Sequence, residues 1–166
     1  MRKIKKVVGL FIINHFLCMT RFFKLKRLIL KSIGCKIGKE TKVVGPIYFG
    51  NKVNLEIGEN CWVNGNFRIE GNGLVKIGDN VDIAPSVTFL TGSHYINLSH
   101  TERRAGKGIN GQIEIGNNCW VCAKVTILPN IIIENGCVLA AGAVITKDCK
   151  KNTLIGGVPG VEIKKI

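Results

Sequence analysis

Apolar residues return at every sixth position through most of this chain, and few backbone arrangements satisfy such a period. One register runs Ile37, Val43, Phe49, Leu55; a two-residue shift opens Ile57, Val63, Ile69, Val75; another opens Ile77, Ile83, Phe89. The rhythm stops at Thr91-Gly92-Ser93-His94-Tyr95 and resumes from Ile113, with Ile115, Val121, Ile127, Ile133, Leu139 and Ile145 in register. A helix would return its apolar face every three or four residues and a half-buried strand every two. A period of six means one short strand and one turn per repeat. Three such units close a triangular coil of about eighteen residues, each strand pairing with the coils above and below in parallel sheets.

Side-chain size follows the same logic. Four positions after a register residue stand Val53, Cys61, Val81, Val87, Cys119, Val125, Cys137 and Ala143. These are small or β-branched, as a narrow prism filled by one bulky and one small residue requires. The corners Gly58-Glu59-Asn60, Gly78-Asp79-Asn80 and Gly116-Asn117-Asn118 carry the residue types that tolerate left-handed backbone angles. The expected fold is an all-β repeat, a parallel β-helix of about five coils. It divides into a helical segment over residues 1–36, a β-helix over 37–155 with a loop inserted at 93–112, and a tail over 156–166.

Charge singles out the helical segment. The net charge is +13, and nine basic residues fall in the first 31 while no acid precedes Glu40. Val7 to Met19 is apolar, interrupted by Asn14 and His15, and too short to span a bilayer, which needs about twenty residues. No small-x-small cleavage site follows, so a cleaved leader is not expected. Two helices fit better. Phe22, Phe23, Leu25, Leu28, Ile29 and Ile33 recur at helical spacing with basic residues between them, which suits either an anionic membrane face or a cap over the first coil. No recognition motif for nucleic acid accompanies the charge. Seven cysteines include one CxxC, Cys119-Trp-Val-Cys122, and no second pair to complete a four-ligand set. They read as reduced structural thiols of a cytoplasmic protein, peripheral to the inner membrane face if the segment docks there, with no metal site expected.

The chain resembles a family at specific motifs. Ile77-Gly-Asp-Asn-Val-Asp-Ile-Ala-Pro-Ser-Val-Thr-Phe-Leu-Thr-Gly-Ser-His94 is similar to the maltose and galactoside O-acetyltransferases of the hexapeptide-repeat acyltransferases. So are Ile115-Gly-Asn-Asn-Cys-Trp-Val, Ile127-Leu-Pro-Asn-Ile-Ile-Ile-Glu-Asn-Gly and Ala141-Gly-Ala-Val-Ile-Thr-Lys-Asp148. The resemblance covers roughly residues 37–165. It implies a left-handed β-helix, a homotrimer with sites between subunits, acetyl-CoA as donor and a sugar hydroxyl as acceptor, in polysaccharide or glycolipid synthesis.

Acyl transfer from a thioester to a hydroxyl needs a base, and imidazole suits that role near neutral pH. His94 stands at the mouth of a long insertion from a rigid scaffold, where function concentrates, and the resemblance assigns it the base. His100, inside the loop, reads as a surface residue, and His15 as packed or solvated. Three histidines at these positions cannot build a metal site from adjacent coils. The resemblance implies acceptor contacts for Asn64 and Asn72, the latter where an acid is usual, and places Trp120 beside the acetyl-transfer groove. It implies coenzyme A contacts for Ala123, Ala141, Thr146, Lys147 and Lys164, with Val161 replacing a usual basic residue. His94 is expected level with the corner carrying Asn64. A serine acetyltransferase or an amino-sugar N-acetyltransferase is the alternative enzyme. A β-helix scaffold with an unused groove is the alternative of another class.

Overall fold

A computed structural model describes residues 2–166. The register residues stack as continuous ladders on three flat faces. Sheet I pairs Ile37, Ile57, Ile77, Ile115 and Ile133 in turn. Sheet II pairs Val43, Val63, Ile83, Val121, Leu139 and Ile155. Sheet III pairs Phe49, Ile69, Phe89, Ile127 and Ile145. All these pairings are parallel, and every ladder residue is buried. The result is a left-handed parallel β-helix of five complete coils and a partial sixth. The interruption leaves the stack in register, since Ile77 pairs directly with Ile115 across it. Early coils advance by twenty residues, from Ile37 to Ile57 to Ile77, and Ile115 to Ile133 by eighteen. The earlier coils take two more residues at the corner from sheet III to sheet I.

Two expectations about the corners change. Asn60, Asn80 and Asn118 do adopt positive φ, at 52°, 55° and 57°. Gly58, Gly78 and Gly116 do not, and close approach of the next coil explains them instead. A Cβ on Gly58 would stand 2.6 Å from the Gly78 carbonyl oxygen, and one on Gly116 2.7 Å from the Asn135 nitrogen. Nor is the companion residue always small. At the start of sheet III it runs Ile47, Phe67, Val87, Val125, Ala143, all buried.

The cysteines belong to this packing. Thr41, Cys61, Val81, Cys119, Cys137 and Thr153 form one buried column between sheets I and II. Its polar members donate to the neighbouring coil: Cys61 to Gly78 O at 3.1 Å, Cys119 to Glu134 O at 3.2 Å, Cys137 to Lys150 O at 3.1 Å, Thr41 to Gly58 O at 2.6 Å. Thiol and hydroxyl are interchangeable here because each is a small side chain with one hydrogen to give. Burial pushes the Cys119 thiol up to about 11 and Cys149 to about 12. Both stay protonated and unreactive at neutral pH.

The first coil would leave an open edge of unpaired backbone groups. Helix α1 (Arg2–Phe11), its π-helical continuation (Ile12–Phe16) and helix α2 (Phe23–Ser32) cover it. The Asn14 amide mimics a strand, donating to Ile47 O at 2.8 Å and accepting from Ile47 N at 2.9 Å. Lys26 donates to Val44 O at 2.7 Å and Thr20 O at 2.8 Å, and Lys6 to Val53 O at 2.9 Å. Desolvation lowers the Lys26 pKa. Ile13, Leu30 and Ile33 complete the cap and join the core. At the far end Val161–Lys165 folds back antiparallel on Thr153–Gly156.

Candidate active site

The insertion is a β-hairpin. Gly92–Ile96 pairs antiparallel with Ala105–Asn110, Gly92 opposite Asn110 and His94 opposite Gly108. Its root is fixed by Thr91, fully buried, whose hydroxyl donates to Glu70 O at 3.0 Å and accepts from Gly73 N at 3.1 Å. There the backbones of Gly71 and Gly92 cross in contact. Gly71 holds φ at +102°, and a Cβ on it would run into the nitrogen of Gly92 and lie 2.8 Å from its Cα. Glycine is therefore required twice over, by conformation and by space. Gly71→Ala should cost roughly 1–3 kcal/mol of stability and displace the His94 strand. A thermal shift together with reduced turnover would register it; turnover unchanged at saturating and limiting substrate would detach this crossing from the site.

Just past His94 the hairpin register slips, because Ile96 lies opposite Ala105 where regular pairing from His94 would place Gly106. The extra residue bulges the return strand, and a bulge re-aims neighbouring groups. Here the Gly106 carbonyl accepts from His94 Nδ1 at 2.8 Å. A carbonyl can only accept, so Nδ1 carries the hydrogen, and in the neutral ring Nε2 holds the lone pair. His94 is exposed and lines a cleft of about 420 Å³ with Asn72, Ser93, Gly108 and Asn110. The orienting carbonyl was not legible beforehand. Its trace in the sequence is Gly106-Lys107-Gly108, glycines placed where the return strand passes the imidazole.

The remaining residues divide between corners. Asn64 follows the sheet II strand Trp62–Val63, whereas His94 follows the sheet III strand Thr88–Leu90. They occupy different edges of the triangle, which corrects the expectation that they lie level. Asn72 shares the His94 edge. Asn64 is half-buried and accepts from Gly65 N at 2.8 Å. On the Asn64 edge, Ala123 and Ala141 sit one coil apart, joined by Gly142 N to Ala123 O at 2.9 Å. Trp120 is 54% exposed on the flat of sheet II, next to Asp82 on the preceding coil. Thr146 and Lys147 follow the sheet III strand Val144–Ile145, on the His94 edge. Lys164 and Val161 lie on the antiparallel return strand at the end of sheet II, exposed. The candidate residues of one chain thus fall on two edges, His94, Asn72, Thr146 and Lys147 on one and Asn64, Ala123 and Ala141 on the other.

Comparison with known proteins bears on family and fold. Residues 112–147 match the model of the bacterial transferase hexapeptide (six repeats). The chain is 36% identical to the galactoside O-acetyltransferase of Escherichia coli K12 over 83% of its own length and 67% of the relative's. It spans 58%, 61% and 67% of the lengths of three curated relatives. A hexapeptide-repeat acetyltransferase of Vibrio cholerae, crystallised with acetyl coenzyme A, superposes with a TM-score of 0.83 at 26% identity, covering 99% of this chain and 86% of that one. A galactoside acetyltransferase in complex with coenzyme A gives 0.81 at 29% identity, covering 99% and 80%. The chain therefore belongs to the hexapeptide-repeat acetyltransferases, the family of the galactoside O-acetyltransferases.

Proposed function

We propose that this protein is an acetyl-CoA-dependent O-acetyltransferase acting on a sugar hydroxyl, with His94 as general base. The observation that carries the reading is the Nδ1–H bond to Gly106 O, which commits Nε2 to accepting a proton. Nε2 takes the hydroxyl proton as the acceptor oxygen attacks the thioester carbonyl carbon. The C–S bond of the tetrahedral intermediate then breaks, and the departing thiolate takes the proton from the imidazolium. The acetyl group moves from sulfur to oxygen with no covalent enzyme intermediate. Asn72, in the same cleft, is placed to bond acceptor hydroxyls. Without the usual carboxylate it offers both a donor and an acceptor.

Candidate residues split between two edges favour a closed homotrimer. Three-fold rotation apposes one edge of each subunit to the other edge of its neighbour. His94 and Asn72 of one subunit would then face Asn64, Ala123 and Ala141 of the next. Small side chains there permit close approach of a pantetheine arm, and Lys147 and Lys164 supply cations for phosphate. The acceptor we favour is a lipid-linked saccharide of surface polysaccharide or glycolipid assembly, met at the inner membrane face, because the basic segment adjoins the enzyme's first coil. A turnover screen with acetyl-CoA across free sugars, nucleotide sugars and lipid-linked oligosaccharides tests this, read as acetyl ester by mass spectrometry. Ester on a saccharide supports it. Amide on an amino sugar, ester on serine, or no turnover and no coenzyme A binding would each displace it.

A further inference from the structure

Besides the side chains that join the core, the N-terminal helices turn a row of apolar side chains outward. In α1, Ile4, Val7, Val8 and Phe11 are 69%, 58%, 49% and 53% exposed, while Lys6 is turned inward to backbone carbonyls. Their spacing of three and four places them on one helix face, opposite Lys6, Gly9 and Ile13, which are buried against the rest of the fold. Lys3 and Lys5 flank that face, both exposed. In α2, Leu25 and Leu28 are 45% and 64% exposed, with Phe22 before them at 62%, while Lys26 is buried. Burying lysines while exposing phenylalanine and leucine makes sense when another phase or partner covers the outer face. Beside α2 opens a cavity of about 450 Å³ whose walls present Arg21, Lys24, Arg27 and Lys42 against one acid, Glu40.

We infer that this face docks on an anionic phospholipid surface, the apolar row entering the acyl boundary and the basic cavity taking a lipid phosphate. Charge complementarity selects the occupant. Lys3, Lys5, Arg21, Lys24 and Lys31 are exposed here and no acid occurs among the first 31 residues, so a two-fold contact between copies would set these cations against each other. A bilayer offers anionic headgroups and acyl chains together, matching both features at once. No helix among the described residues is long and apolar enough to cross a membrane, so the contact is interfacial. The inference rests on the reading above for what the contact serves, namely bringing the enzyme to a lipid-linked acceptor. The contact itself is measured without turnover.

The test uses the full chain in flotation with phosphatidylcholine vesicles with and without phosphatidylglycerol. Binding should require phosphatidylglycerol and weaken as salt rises. The triple variant Ile4→Ser, Val7→Ser, Phe11→Ser should bind at least about tenfold more weakly, and Arg21→Gln with Lys24→Gln should bind more weakly too. Free inorganic phosphate added alongside the vesicles at constant ionic strength should not displace the protein. These positions are exposed, so circular dichroism and acetylation of a soluble acceptor should stay at wild-type values. Equal binding to both vesicle types, or a triple variant that binds as tightly as wild type, overturns the inference. So does a change of oligomeric state in that variant without vesicles, which would make the face an interface between copies. Vesicle binding intact with no acetyl transfer to any acceptor would instead sink the functional reading and leave this one standing.

Discussion

His94→Ala should lower kcat/KM for acetyl transfer by about 10²–10⁴-fold, the usual worth of a positioned general base. The fold should hardly notice. His94 is exposed, and its hydrogen bond to Gly106 O lies on the hairpin, outside the prism. Loss of such a bond costs about 0.5–1.5 kcal/mol. Thermal unfolding and activity should therefore separate cleanly. His100→Ala, at an exposed position with no hydrogen bond from its ring among the described residues, should behave as wild type in both measurements. Near-full turnover by His94→Ala would end the proposed mechanism, and loss of turnover in His100→Ala would move it elsewhere.

The ladders were legible because a period of six fixes which residues point inward. Ile37, Ile57, Ile77, Ile115 and Ile133 could be stacked on paper before any coordinate. The reason for Gly58 and Gly116 was not, because a close approach between coils depends on where the next coil's carbonyls fall. Asn14 looked like a flaw in an apolar run. Its use, pairing both polar groups of Ile47, exists only once the open edge of the first coil lies beside it. The placement of Asn64 could have been read correctly. It follows the second strand of its coil and His94 the third, and counting strands around the triangle separates them. The bulge that brings Gly106 O to His94 is a matter of hairpin register, which two glycines near a histidine do not specify.

Phe67→Ala should cost about 3–5 kcal/mol, a large share of the 5–15 kcal/mol typical of a domain. Phe67 is fully buried, and its ring meets Phe89 edge-on at 5.0 Å between centroids. Its neighbours in the column, Ile47 and Val87, are held by backbone ladders to adjacent coils and cannot collapse into the space. The loss should also be directional. In a solenoid each coil contacts only its neighbours, so damage spreads by nearest-neighbour coupling. Hydrogen exchange should quicken in the capping helices and the first three coils, including Thr88–Leu90 at the root of the hairpin, while Val144–Ile145 keeps its protection. The hairpin would then sit on a loosened third coil, and turnover should fall more steeply with temperature than in wild type. Val125→Ala, two coils further on, removes far less volume and should leave the His94 root intact. A Phe67→Ala loss below about 1.5 kcal/mol, or exchange that quickens evenly along the prism, would mean that the coils relax together and that local packing does not set local stability.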